Sequence, residues 1–118
     1  MKFASLVLFF AACSSSATTV GTVTAGGETF EIKREGDAPA AGSMTTMVIK
    51  PDGAKPDSVD GWIGLETDDD LAVDAVYDSG DGDFDLDIDV QSPLPAGSKF
   101  FYEITIAGQV NAGSIDLK

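Results

Sequence analysis

The sequence predicts an all-β domain, an antiparallel sandwich of about seven or eight short strands, on three observations. Apolar residues alternate with polar ones at period two, without the three-to-four-residue recurrence of an amphipathic helix. Turn residues interrupt that alternation at sandwich-like spacing, roughly every 8–12 residues. Thirteen glycines, frequent Thr and Val, and no long Leu/Ala/Glu/Lys stretch leave no segment that reads as a helix.

The elements follow in order. Residues 20–24 alternate and end at Ala25-Gly26-Gly27. Residues 29–33 place Phe30 and Ile32 on one face. A turn-rich stretch from Glu35-Gly36-Asp37 to Ser43 leads into 45–50, where Met47 and Ile49 oppose Thr46 and Val48. Pro51-Asp52-Gly53 breaks that strand, and residues 56–61 read as a loop. Strands are then expected at 62–66 and 71–77, joined by Thr67-Asp68-Asp69-Asp70. The turn at 78–82 precedes the most regular strand, 84–90, and a Pro-Gly corner at 93–97 precedes 100–106. A last strand is expected at 112–117.

The corner and the strand after it, Leu94-Pro95-Ala96-Gly97-Ser98-Lys99-Phe100-Phe101-Tyr102, are similar to the Leu-x-Pro-Gly-x-x-Tyr run of fibronectin type III domains. Phe100 stands where that family has Tyr. The resemblance implies an immunoglobulin-like sandwich. Phe100, Tyr102, Ile104 and Ile106 share one face by period two and are expected in the core. Trp62 is expected as the central aromatic of the opposing sheet, packed in the core and not stacked on a ligand. The last 25 or so residues also resemble the end of the periplasmic copper-resistance C carrier family. Where that family has an Asp-Gly-His turn, this chain has Ala107-Gly108-Gln109, and it contains no histidine, so an imidazole copper site cannot be built. Met44 and Met47, the other soft donors considered, are three apart on a strand and point to opposite faces.

The amino terminus carries a different signal. Met1-Lys2 is followed by ten mostly apolar residues, too short to span a bilayer but suited to the core of a secretion signal. Phe10-Ala11-Ala12-Cys13 resembles the lipobox of bacterial prolipoproteins, with Phe10 in place of the usual Leu. That resemblance implies a diacylglyceryl group on the Cys13 sulfur, cleavage before Cys13, and acylation of the new amine. Ser14 after the cysteine implies the outer membrane under enteric-type sorting. Cys13 is the only cysteine, so no intramolecular disulfide exists. The small polar run after it suits a tether. The expected organisation is a signal peptide over 1–12, a lipidated Cys13 and tether over 13–19, and one sandwich domain over 20–118.

Charge narrows the partners. Twenty acidic residues face 7 basic ones, for a net charge of −13, or −14 without Lys2. Such a chain repels nucleic acid and acidic lipid headgroups and attracts cations or basic partners. Thirteen carboxylates fall between Asp57 and Asp89, a stretch with no Lys or Arg. Asp81, Asp83, Asp85, Asp87 and Asp89 alternate with apolar residues and are expected on an exposed face. Asp78, Asp81, Asp83 and Asp85 are candidate calcium ligands, because oxygen donors gather where the backbone reverses. Successive aspartates on a straight strand stand roughly 6.5 Å apart, so a bend or a second segment such as Asp68-Asp69-Asp70 has to contribute. The EF-hand order is missing. A calcium site and a merely solvated acidic face both remain open.

No catalytic residues are assigned: there is no His, no nucleophile elbow and no phosphate loop. The expectation is a lipid-anchored, non-enzymatic envelope protein, bound to the membrane through Cys13 and partnered by an envelope protein or glycan. The alternatives are a calcium-dependent module centred on residues 78–89 and a carbohydrate-binding sandwich.

Overall fold

The computed structural model describes residues 17–117. The leader, Cys13 and the start of the expected tether lie outside them. Nine strands form: β1 (Ala17–Ala25), β2 (Glu28–Glu35), β3 (Met44–Pro51), β4 (Ser58–Gly64), β5 (Val73–Asp74), β6 (Val76–Asp78), β7 (Asp83–Asp89), β8 (Lys99–Ile106) and β9 (Gln109–Asp116). A 3-10 turn, Asp69–Leu71, precedes β5. The strands make two antiparallel sheets, ordered β1-β2-β3-β7-β6 and β5-β4-β8-β9. Without β1 and β5 these are the four- and three-stranded sheets of the immunoglobulin sandwich in its characteristic order. The expected fold is therefore the observed one, enlarged by an added strand at one edge of each sheet.

Period-two burial builds the core. Phe30 and Ile32 of β2, Met47 and Ile49 of β3, and Phe84, Leu86 and Ile88 of β7 face inward from one sheet. Val59 and Ile63 of β4 with Phe100, Tyr102 and Ile104 of β8 face them from the other. Ile106, expected beside these, is half-buried at the rim. Val48 lies on the outer face between Lys33 and Asp85 in register and is buried as well.

The structure corrects four sequence expectations. Ala17, Thr18 and Thr19, assigned to the tether, already pair with Glu35, Arg34 and Lys33 in β1. Ser58 to Gly61, assigned to a loop, belong to β4 and pair with β8. The single strand at 71–77 is two short ones in different sheets: β5 pairs with β4, and β6 pairs with β7. The chain crosses between sheets at Ala75, whose N–H donates to the Val59 carbonyl at 2.9 Å. Finally, β9 starts at Gln109, three residues before the expected start.

Trp62 is the fifth difference. Along β4 the inward positions are Val59, Gly61 and Ile63, which leaves Trp62 on the outer face with Asp60. Gly61 holds this parity. A Cβ there would press on the Phe101 carbonyl oxygen and come within 3.1 Å of the Phe100 ring. The inward site opposite Tyr102 is thus already filled by the neighbouring strand, and the tryptophan is buried outside the core.

Candidate functional site

Two acidic constellations and a groove are the candidate sites among the described residues. The first lies in the β6–β7 hairpin. Asp78 and Asp83 pair across it, and the turn between them is held from Asp78. Its Oδ1 accepts from the Gly80 N–H at 2.9 Å and the Asp81 N–H at 3.4 Å, and its carbonyl accepts from Gly82 at 2.7 Å. Gly82 adopts a φ of 72°, which lets the chain enter β7 directly. Folding the turn this way gathers carboxylate oxygens of Asp78, Asp81 and Asp83 within 4.8 Å of one another.

Asp85, the fourth candidate ligand, is not in that group. It stands two residues along β7, opposite Val76 and Val48, beside Asp83 but outside the three carboxylates that converge at the turn. The Asp68-Asp69-Asp70 segment does not join either. Asp68 Oδ2 instead accepts from the Leu65 N–H at 2.8 Å and from Gln91 Nε2 at 3.1 Å. The expected exposed aspartate face is only partly exposed: Asp87 and Asp89 are open, whereas Asp83 and Asp85 are half-buried. Burial, helped by the charge of Asp83 and a hydrogen bond to it, pushes Asp85 up to about 6. Burial also raises Asp83, and the charges of Asp81 and Asp78 add to this, while a hydrogen bond from Asp85 and the charge of Lys50 oppose it. One Asp83 oxygen is enclosed with no hydrogen-bond partner.

The second constellation was not foreseen. Asp74, Asp60 and Glu103 stand directly opposite one another across β5, β4 and β8. Burial pushes Asp60 up to about 7, with a hydrogen bond to Glu103 and repulsion from Glu103 and Asp74 adding to the shift. The other Asp60 oxygen, Oδ1, is enclosed and unpartnered. Neither of the two ion pairs among the described residues, Lys33–Glu31 and Lys99–Asp116, neutralises this row. Reading residues 56–61 as a loop hid it, because a loop residue has no face.

Beside that row lies a groove of about 600 Å³ on the outer face of the four-stranded sheet. Trp62 and Phe101, register partners on β4 and β8, stack with ring centroids 5.2 Å apart and planes 12° from parallel. Trp62 Nε1 donates to the Leu65 carbonyl at 2.9 Å, and the indole is only 5 % exposed. On the far side of Phe101 and Glu103 their β9 partners are Ser114 and Ala112, too small to fill the space. Glu66 and Asp69 line the groove as well, with Lys99. The two methionines stay apart, Met44 61 % exposed and Met47 2 %, as their spacing requires.

Comparison with protein-family models, curated proteins and solved structures returned no match. The functional reading therefore rests on the chain's own residues. No helix among those described is long and apolar enough to cross a membrane.

Proposed function

We propose that this chain is a bacterial envelope lipoprotein, anchored through lipid on Cys13, whose acidic sandwich binds a partner and catalyses nothing. The observation that supports the reading is the apolar stretch ending in Phe10-Ala11-Ala12-Cys13, with its resemblance to a lipobox. The first strand begins at Ala17, four residues after Cys13. A fully extended chain covers at most about 14 Å over that distance. An acylated Cys13 would therefore hold this end of the sandwich close to the bilayer. Two or three acyl chains, at roughly 0.8 kcal/mol per buried CH₂, make such an anchor stable. Enteric-type sorting after Ser14 would place it at the outer membrane.

A non-catalytic role agrees with the sequence, which has no histidine, no nucleophile elbow and no phosphate loop. Asp60 and Glu103, the closest carboxyl pair of the second row, are direct register partners on neighbouring strands and share the negative charge of Asp74 beside them. A sugar-binding role needs an open aromatic platform, and Trp62, 5 % exposed, does not offer one.

Detergent phase partition of the full-length protein expressed in a bacterial host tests the anchor. The native chain is expected in the detergent phase and a Cys13→Ser variant in the aqueous phase. Aqueous partition of both would remove the lipoprotein reading.

The second reading is calcium binding at the β6–β7 turn. It is favoured by the convergence of Asp78, Asp81 and Asp83 and the unpartnered Asp83 oxygen. Three carboxylates on a solvent-facing turn suit weak binding, on the order of the 10⁻⁴–10⁻³ M typical of extracellular modules.

A further inference from the structure

We propose that the outer edge of β9, with the groove beside it, is the docking site for an extended, lysine- or arginine-bearing segment of a partner protein, which adds as a further strand to the four-stranded sheet. The proposal deepens the binding role assigned above and rests on it. β9 ends its sheet, so its outward N–H and C=O groups have no strand partner. Its pairing with β8 runs unbroken over eight residues, from Lys99↔Asp116 to Ile106↔Gln109, with no bulge to twist the edge away. From Gln109 to Ile115 it carries no charge and no proline, and Val110 is 62 % exposed. Sandwich edges are ordinarily guarded by lysine, proline, bulges or short length, and β9 has none of these. The opposite sheet's edge strand, β1, is interrupted by an irregularity between Thr19 and Gly21.

Charge selects the occupant. A second copy would bring its own −14 against this one once the leader with Lys2 is removed, whereas a basic segment is drawn in. The groove supplies side-chain recognition of the same sign. A strand added beyond β9 would lie two strand spacings, about 10 Å, from β8. Every second side chain would then pass over Ala112 and Ser114 toward Glu103 and Phe101. A lysine and a glutamate together span that distance. Glu103 has no cationic partner among the described residues, and Lys99 at the groove is engaged by Asp116 at 3.7 Å. Main-chain pairing at an edge combined with a side-chain pocket beside it is how strand-addition domains obtain affinity and selectivity.

The test titrates the full-length protein in detergent with a ten-residue peptide alternating Lys and Thr, and with its Glu-Thr counterpart, following Trp62 fluorescence and heat. The lysine peptide is expected to bind, the acidic one not. Ser114→Lys, exposed on the edge strand, should weaken binding at least tenfold. Met44→Lys adds the same charge on the other sheet and should change it less than twofold. Thermal melts of both variants establish that they fold. Three results would overturn the proposal: no binding of the lysine peptide, equal binding of the two peptides, or equal effects of the two variants. Self-association abolished by Ser114→Lys would also overturn it, by showing a second copy on the edge. None of these outcomes alters detergent partition through Cys13, so the anchor stands or falls separately.

Discussion

Trp62 and Phe101 stack on the outside of the four-stranded sheet, 5.2 Å between centroids, with the indole nitrogen tied to the Leu65 carbonyl. The largest aromatic of the domain thus seals a surface loop instead of filling the space between sheets. Its removal should still be costly because it is buried. Trp62→Ala is expected to lose about 3–5 kcal/mol in urea unfolding. Phe101→Ala, at a half-exposed position, should lose about 1 kcal/mol, and a double-mutant cycle should show coupling of about 0.5–1.5 kcal/mol.

Gly61 sets which way Trp62 points. Gly61→Ala places a methyl group against the Phe101 carbonyl and the Phe100 ring. A loss of about 1–3 kcal/mol is expected from overpacking. Denaturant midpoints of the variant and the parent check this directly. An unchanged midpoint would mean that β4 lies in a different register.

The sequence made most of the architecture readable and little of the site. Alternation located β7 and β8 to within a residue or so, because their apolar positions are large and strictly every second one. It failed at β4, where the inward residue is Gly61, a glycine that hydropathy does not mark as core. It failed again at residues 71–77, where a continuous pattern conceals a change of sheet at Ala75. The Asp78-Asp81-Asp83 cluster was legible since a turn gathers its own residues. The Asp74-Asp60-Glu103 row was not, because three separate strands supply it and only the pairing register aligns them.

That row should make stability fall as pH rises. The folded domain keeps the Asp60 proton up to about 7, whereas an ordinary aspartate releases it near 3.8. Between these values the folded state binds more protons than the unfolded one, so unfolding free energy declines with pH and levels off above about 7. Asp85, raised to about 6, and Asp83 act in the same direction. The melting temperature is therefore expected to be higher at pH 5 than at pH 8. Asp60→Asn should raise it at pH 8 and remove much of the difference.

Calcium titration separates the cluster from its neighbours. On the calcium reading, millimolar calcium raises the melting temperature, Asp81→Asn abolishes the effect and Asp85→Asn retains it. Absence of both heat and melting shift on calcium addition would leave the β6–β7 turn as a solvated acidic surface.

The most direct measurement is the mass of the mature protein and of its N-terminal peptide, purified from bacterial membranes. A chain beginning at Cys13 and carrying diacylglycerol on its sulfur is the predicted result. An unmodified Cys13 thiol, or a mature chain beginning elsewhere, would contradict the anchored role.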